Sequence, residues 1–333
     1  MTPTHASSSI VLLVACGGTI ACRSGPNGVT VALSGSDLVQ RAGIEDVDLL
    51  DASQVASWSF GPEALADIAR TIVAEATSGR YAGVVVTHGT DTIEESMFLT
   101  WLLGGAFASE RCPIVFTGAC YYDDHPNADG PANVRDAVAL AHDGGRAGPV
   151  LRFRGATHHA RWVTKTDTTA PDTFRSPAAP TSGASAPTPP PYGDRIEPAV
   201  VQVPSYTGVD SDLIGWHLDR GARAIVVQGT GAGNVHANLV PGIQRAVAAE
   251  IPVLVTSRCW TGAVAPTYGG QGGGAHLAKL GCISGGNLPT HKARVALWVA
   301  LGRDPQPAAV RNWFEELLAW PGSPIPVSPS VDR

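Results

Sequence analysis

Residues 83–95 constrain the fold more than any other stretch of this 333-residue chain. Residues 84–86 are three consecutive valines, and such a β-branched run is typical of a strand covered on both faces of a parallel sheet. Thr92 has the spacing to a later glutamate that marks a helix-capping box, and apolar residues recur at helical spacing behind it. Thr90 and Asp91 therefore lie just beyond the carboxyl end of a buried strand, where open α/β sheets place their ligands.

The same order of strand, turn and helix recurs along the chain. Short apolar runs predict further strands at residues 10–15, 113–117, 224–228 and 252–256, and helical patterns follow several of them. This alternation predicts right-handed βαβ units around a mainly parallel sheet. Because 333 residues exceed a single core, we expect two α/β domains. The expected division is a large N-terminal domain at residues 1–195 with helices flanking its sheet, a linker at 196–215 and a smaller C-terminal domain at 216–333.

Two segments of the N-terminal part have compositions typical of loops. Residues 23–28 consist mostly of turn-forming residues, which predicts a mobile surface loop that could cover Thr19. Residues 171–191 are rich in Pro, Ser, Thr and Ala, and such a segment cannot bury enough apolar surface to order itself. We expect it to be an exposed loop or part of the connection between the domains.

Composition excludes several classes of protein. The net charge is −6 and Lys and Arg are scattered, so we expect no nucleic-acid partner. No run approaches the ~18 apolar residues of a membrane span, and residues 1–9 lack the Lys or Arg of an export signal. The six cysteines form no C-x-x-C pair and no zinc-type spacing with His, which predicts reduced thiols, no metal site, no cofactor and a cytoplasmic location.

Three threonine- and lysine-bearing segments can supply covalent chemistry together. Thr19 follows a glycine pair after the first strand, Thr90 and Asp91 follow the central strand, and Lys165 lies in a polar Val-Thr-Lys-Thr segment. Threonine is a poor nucleophile at neutral pH and needs a base, which a desolvated lysine beside a carboxylate can provide. The glycine pair has neither the G-x-G-x-x-G nor the P-loop spacing of a nucleotide site.

The order of these motifs resembles that of a known enzyme family. The sequences Ala-Cys-Gly-Gly-Thr-Ile-Ala at 15–21, Thr-His-Gly-Thr-Asp-Thr-Ile-Glu-Glu at 87–95 and Val-Thr-Lys-Thr at 163–166 resemble those of the L-asparaginase/glutaminase amidohydrolases. The similarity covers nearly the whole chain. It continues through the segments at 53–54, 118–119, 128–131, 231–234, 257–258, 261–262 and 292–295.

The resemblance implies hydrolysis of the asparagine side-chain amide to aspartate and ammonia through an acyl-enzyme. It implies that Thr19 is the nucleophile and that Thr90, Asp91 and Lys165 form a second catalytic group. The substrate-binding positions that it implies are Ser53, Gln54, Asp91, Ala119 and Asn234. Asn234 would act from a neighbouring subunit, which implies a homo-oligomer, either a homodimer or a homotetramer assembled as a dimer of dimers.

Two departures from the family pattern leave alternatives open. No tyrosine lies between Thr19 and Tyr81, where the family has a lid tyrosine. No Asp or Glu lies in residues 251–303, where the family has a glutamate that meets the substrate amino group from a neighbouring subunit. The alternatives are an enzyme for another amide (glutamine, a D-isomer or an amide without a free amino group) and a noncatalytic amino-acid-binding protein. A component of a transfer-RNA-linked amidotransferase is less favoured, since no basic surface or extra N-terminal module is present.

Several other polar residues have simpler interpretations. We expect His88 to be a structural hydrogen-bonding residue at the strand end. His125 and the pair at 158–159 are predicted to be loop histidines, and the Asp123-Asp124 pair a solvated turn.

Overall fold

The computed structural model describes residues 9–144, 148–177, 179, 188–193 and 195–319. The chain divides into two compact units, Met1–Pro177 and Ala178–Arg333. The first contains a six-stranded sheet and the second a four-stranded one, so the predicted α/β fold with a larger N-terminal domain is confirmed. Of the segment 171–191 that we expected to be a loop, residues 178 and 180–187 lie outside the described residues.

The first unit alternates strands and helices. Its strands are β1 Val11–Ala15, β2 Cys22–Gly25, β3 Gly28–Val31, β4 Val47–Asp51, β5 Gly83–Thr87, β6 Ile114–Thr117, β7 Val150–Phe153, β8 Ala156–His159, β9 Thr164–Lys165 and β10 Phe174–Arg175. Its helices are α1 Gly35–Ala42, α2 Pro62–Thr77, α3 Ile93–Thr100, α4 Ala106–Arg111 and α5 Gly130–His142, with a π-helical turn at Trp101–Gly105 and 3-10 turns at Thr19–Ala21 and Ser57–Ser59. The main sheet has the order β4-β1-β5-β6-β7-β8.

Parallel pairing aligns the strand ends at one edge of this sheet. Strands β1 and β5 are buried along their whole length, as their continuous apolar runs require. The register places Asp51, Ala15, Thr87 and Thr117, each the last residue of its strand, in one row. Helices α1 and α5 cover a core formed with β1, β5 and β6. The loops that follow β4, β1, β5 and β6 therefore leave the sheet at the same level.

Two of these loops touch backbone to backbone. Gly18 follows β1 with φ of +81°, a left-handed conformation that glycine adopts without steric cost. A Cβ atom at Gly18 would overlap the backbone of Gly89, which follows β5. The amide of Cys16 also donates to the Thr87 carbonyl at 2.9 Å. The turn that carries Thr19 is thus seated directly on the turn that carries Thr90.

Three predictions about local structure in this unit are wrong. Residues 23–28 belong to the antiparallel hairpin of β2 and β3 and not to an irregular loop. The Thr92 side chain makes no capping hydrogen bond, because its hydroxyl donates to the Ser57 carbonyl at 2.9 Å instead. His158 and His159 lie on β8 and not in a loop. In the 171–191 segment, Phe174 on β10 is buried, and the division between the two units follows Pro177.

The second unit is smaller and combines one four-stranded sheet with helices. Its strands are β11 Val200–Pro204, β12 Ala224–Gly229, β13 Val253–Ser257 and β14 Ile283–Ser284, all paired in parallel in that order. Its helices are α6 Leu213–Asp219, α7 Val240–Ala248, α8 Gly274–Leu280, α9 Thr290–Arg303 and α10 Pro307–Leu318, with a 3-10 turn at Ala237–Leu239. Residues 196–215, where we expected a linker, include β11 and the start of α6. None of the helices in the described ranges is long and apolar enough to cross a membrane.

The contact between Gly18 and Gly89 predicts an unequal response to alanine. Gly79 is the matched control, because its φ of +75° is similar and no atom lies within 4 Å of a Cβ placed there. Gly79→Ala should lower the free energy of unfolding by about 1–2 kcal/mol through backbone strain alone. Gly18→Ala adds the overlap with Gly89, and its ψ of −175° lies in a region open essentially to glycine only, so it should cost about 1–3 kcal/mol more. Urea unfolding of both variants measures the difference, and equal losses would contradict the close contact.

Candidate active site

Apart from Lys165, the predicted site residues of the first unit follow neighbouring strands at one sheet edge. Each lies two to four positions beyond the row of strand ends: Ser53 and Gln54 after β4, Thr19 after β1, Thr90 and Asp91 after β5, and Ala119 after β6. Backbone bonds tie the first two loops together, since Ser53 N donates to Ala15 O at 3.1 Å and Gly18 N to Val55 O at 3.2 Å. The parallel sheet therefore assembles residues that are far apart in the sequence.

Thr19 is presented by a short 3-10 turn. Gly17 and Gly18 precede it with φ of +71° and +81°, and the turn closes when Ala21 N donates to Gly18 O at 2.9 Å. Thr19 itself is partly buried, whereas Ile20 behind it is buried in the core. This geometry holds the Thr19 backbone firmly and leaves its side chain accessible at the sheet edge.

Thr90, Asp91 and Lys165, which the resemblance groups together, meet in one cluster. Lys165 Nζ lies 3.0 Å from Thr90 Oγ1 and 2.7 Å from Asp91 Oδ1. Thr90 is buried, and the side chains of Lys165 and Asp91 are 21% and 50% exposed. The Nζ–Oγ1 distance allows direct proton transfer between the lysine and the threonine hydroxyl. The half-exposed carboxylate of Asp91 is accessible to a small polar ligand.

Lys165 is held in place by a residue that was not among the predicted site residues. The Glu94 carboxylate is only 6% exposed and lies in the first turn of α3. Its Oε1 accepts a hydrogen bond from Lys165 N at 2.7 Å, and its Oε2 accepts one from Thr164 Oγ1 at 2.8 Å. A signal was available in the sequence, because an acidic residue among the apolar positions of a buried helix needs hydrogen-bond donors.

His88 supports the corner after β5 from inside the protein. Its Nδ1 lies 2.9 Å from Gly89 O and its Nε2 lies 2.8 Å from Ser96 Oγ. Complete burial lowers the pKa of His88 from its ordinary value of 6.5 to about 4. A neutral ring that donates from Nδ1 and accepts at Nε2 satisfies both contacts, so His88 has the structural role expected from the sequence.

The loop that carries Ala119 is fixed by a second buried carboxylate. Asp129 Oδ1 accepts hydrogen bonds from the backbone amides of Cys120 and Tyr121, both at 3.0 Å. Asn133 Nδ2 donates to Asp129 Oδ2 at 3.0 Å and to the carbonyl that precedes Ala119 at 2.9 Å. The Ala-Asp-Gly-Pro segment at 128–131 carries part of the family resemblance, but no role was predicted for Asp129. Its position just before a helix that begins with Gly-Pro was the available signal.

The β2–β3 hairpin is fastened to the same loop. The Asp123 side chain is 3% exposed and pairs with Arg41 Nη1 at 2.8 Å and with Arg23 Nε at 3.2 Å. Asp124 accepts hydrogen bonds from the backbone and hydroxyl of Ser24. The prediction of a solvated Asp-Asp turn holds for Asp124, which is exposed in a turn, but not for Asp123, whose side chain is buried against two arginines.

Asn234 lies in the second unit, beside a glycine-rich turn. Its Oδ1 accepts a hydrogen bond from Gly274 N at 3.2 Å, and Gly231 and Gly233 on its N-terminal side have φ of +52° and +95°. The segment between β13 and α8 exposes Trp260 and Tyr268 at its surface. No acidic residue occurs in residues 251–303, as the sequence already shows.

Among the described residues, the cysteines and candidate metal ligands form no disulfide and no metal site. All six cysteines are free, with Cys120 partly buried, Cys259 exposed and the remainder buried, as expected from their spacing. Within the part of the chain that the structure describes, no three His, Cys, Asp or Glu side chains are grouped to hold a metal ion.

The chain is similar to known proteins along most of its length. Two family models match it: Asparaginase, N-terminal, at residues 10–188 and Glutaminase/Asparaginase C-terminal domain at residues 199–314. A probable L-asparaginase of Deinococcus radiodurans is 32% identical over 93% of this chain and 98% of its own length. A component of the glutamyl-tRNA(Gln) amidotransferase of Methanothermobacter thermautotrophicus is 30% identical over 93% of this chain and 76% of its own length. The crystal structure of a probable cytoplasmic L-asparaginase from Campylobacter jejuni gives a TM-score of 0.76 at 26% identity, covering 92% of this chain and 99% of that chain.

The buried neutral His88 predicts a pH dependence of stability. Between pH 6.5 and about 4 the unfolded chain binds a proton at His88 that the folded chain does not bind. The free energy of unfolding should therefore fall as the pH falls through this window, by up to about 1.4 kcal/mol per pH unit from this group. His88→Asn retains a donor for Gly89 O and cannot titrate. Urea unfolding at several pH values should give a shallower slope for the variant, and parallel slopes would contradict the assignment.

The two amides bound by Asp129 should be protected from solvent exchange. In Asp129→Ala the amides of Cys120 and Tyr121 lose their acceptor, so both should exchange faster with deuterated water. The amide of Asp123, which donates to Cys22 O at 2.9 Å, is the internal control from the same loop. Unchanged exchange at Cys120 and Tyr121 would show that Asp129 does not hold the loop.

Proposed function

Since the chain belongs to the L-asparaginase/glutaminase family of amidohydrolases, we propose that it is an L-asparaginase that hydrolyses the side-chain amide of asparagine to aspartate and ammonia. The single observation that carries the proposal is the contact of Lys165 Nζ with both Thr90 Oγ1 and Asp91 Oδ1, on a turn that touches the turn of Thr19. This places two hydroxyls, one amine and one carboxylate at a single sheet edge.

The proposed reaction proceeds in two covalent stages. The Thr19 hydroxyl oxygen attacks the amide carbon, its proton passes to a base, and the carbon–nitrogen bond breaks as the nitrogen takes up a proton and leaves as ammonia. Water then attacks the resulting Thr19 ester, which releases aspartate and restores the hydroxyl. Thr90 positions this water, and Lys165 moves the protons through the 3.0 Å contact with Thr90 Oγ1. Backbone amides of the two touching turns are the proposed donors to the oxyanion.

The substrate-binding residues are proposed from their places on the same edge. Ser53 and Gln54 hold the α-carboxylate, and Asp91 holds the α-ammonium group with the carboxylate that Lys165 keeps in position. Ala119 offers its backbone from the loop that Asp129 fixes. No cofactor is required, because amide hydrolysis needs only nucleophile, proton transfer and oxyanion stabilisation.

We propose that the active enzyme is a homotetramer built as a dimer of dimers, in which Asn234 reaches the site of a neighbouring subunit. The C-terminal domain would then serve the partner's site. Sedimentation of the active protein tests this, and a fully active monomer would overturn it. A cytoplasmic location is supported by the free cysteines and by the description of the Campylobacter jejuni protein as cytoplasmic. A probable periplasmic relative from Haemophilus influenzae makes export the alternative.

Two observations favour other substrates. The absence of Asp and Glu from residues 251–303 favours an amide without a free α-amino group, a D-isomer or glutamine, because loss of one carboxylate weakens ammonium binding by about 1.5–3 kcal/mol. The similarity to an amidotransferase component favours ammonia release for transfer to a tRNA-bound substrate. Ammonia release from asparagine, glutamine, D-asparagine and succinamate, without tRNA, separates these activities. Ligand binding without turnover on any amide would indicate a noncatalytic binding protein.

The proposed catalytic group predicts the effect of three substitutions. Thr19→Ala, Thr90→Ala and Lys165→Met should each lower kcat for ammonia release by about 10²–10⁴-fold, since each removes a nucleophile or a proton-transfer group. Thr71→Ala is the matched control, because its hydroxyl donates to the Asp67 carbonyl on the exposed face of α2. The control should keep the parent rate. A near-normal rate in any of the three site variants would refute the mechanism.

A further inference from the structure

Glu94 is a buried carboxylate to which the reaction scheme gives no role. Its two oxygens accept hydrogen bonds from consecutive residues of β9, Thr164 Oγ1 and Lys165 N. Burying a carboxylate is costly unless donors satisfy it, and these contacts supply that satisfaction. The contacts also fix the backbone from which the Lys165 side chain extends.

Strand β9 lies outside the main sheet, although Val163 just before it is fully buried. It is two residues long, and within the described residues it pairs with the equally short β10 in a separate two-stranded sheet. The main sheet therefore does not set the register of Lys165 as it does for Thr19 and Thr90. A lysine side chain is also flexible, so its Nζ remains close to Thr90 and Asp91 only where its backbone is held in place.

The anchor belongs to the same continuous segment as the two groups that Lys165 serves. Glu94 follows Thr90 and Asp91 by four and three positions and lies in the first turn of α3. Residues 90–94 therefore contact the lysine at two points. Glu94 Oε1 accepts from its backbone amide at 2.7 Å, and its Nζ lies 3.0 Å from Thr90 Oγ1 and 2.7 Å from Asp91 Oδ1. Any shift of β9 along the corner would break both sets of contacts.

We propose that Glu94 is a positioning residue of the active site, which sets the reach of Lys165 Nζ to Thr90 and Asp91. It acts through Lys165 and does not touch the substrate. The kinetic consequence rests on the proposed function, whereas the contact itself does not. If Glu94 were merely structural, its substitution would lower stability without changing the part of kcat that depends on Lys165.

Substitutions at Glu94 separate geometry from charge. Glu94→Gln can retain both contacts, because its amide oxygen accepts from Lys165 N and its amide nitrogen donates to Thr164 Oγ1. It should keep kcat within about tenfold of the parent, whereas Glu94→Ala should lower kcat about a hundredfold with KM nearly unchanged. Glu63→Gln, an exposed charge change on α2, is the control and should have the parent kcat.

A milder substitution tests the same contact if Glu94→Ala does not fold. Thr164→Val removes only one of the two contacts and should lower kcat several-fold, and Thr164→Ser should restore it. A parent-like kcat in Thr164→Val would overturn the proposal. Equal losses in the Gln and Ala variants at Glu94 would overturn it too, because they would point to charge and not to geometry.

Two further measurements tie the effect to Lys165. In a double-mutant cycle, Glu94→Ala should cause no additional loss of kcat when Lys165 is already Met. The Lys165 backbone amide should exchange faster with deuterated water in Glu94→Ala than in Glu94→Gln, whatever the enzyme hydrolyses. An undiminished additional loss in the cycle, or equal exchange in both variants, would overturn the positioning role. If the parent hydrolyses no amide while the exchange result holds, the proposed function fails and the contact stands.

Discussion

The site depends on one close approach of two backbones. Gly18 and Gly89 follow the paired strands β1 and β5, and neither turn has room for a side chain against the other. The contact turns the alignment of parallel strands into an alignment of the residues that follow, Thr19 and Thr90. Because backbone geometry is stiffer than side-chain geometry, this arrangement defines the position of the proposed nucleophile relative to the second hydroxyl before any ligand binds.

Buried carboxylates organise the loops around that contact. Asp129 accepts from two consecutive backbone amides before the helix α5, and Glu94 accepts from a backbone amide and a hydroxyl on β9. Asp123 is buried between two arginines. Asp129 and Glu94, which would be costly to bury without donors, fix segments outside the main sheet, whereas the arginines that pair with Asp123 lie on β2 and α1. The sheet positions the residues on its edge, and the carboxylates position the loops that the sheet cannot reach.

Sequence-based prediction succeeded where local patterns decide the structure. Continuous apolar runs identified β1 and β5, and parallel topology then implied that Thr19 and Thr90 share one edge. Prediction failed where a distant partner competes with a local one. Thr92 has a capping-box spacing, yet its hydroxyl bonds to Ser57, 35 positions earlier. Glu94 was overlooked for the same reason, since its partners on β9 lie 70 and 71 positions later in the chain.

The hairpin formed by β2 and β3 begins immediately after the turn of Thr19, and its ionic anchors lie on the loop that also carries Ala119. The turn of Thr19, the hairpin, the Asp123-Asp124 pair and the loop of Ala119 are thus connected in a closed ring of contacts. Hinge motion of the hairpin alone would require separating charged groups, one of them almost fully desolvated. We therefore expect motion of the proposed nucleophile to be coupled to motion of the Ala119 loop, so that both respond to a ligand as one cooperative unit.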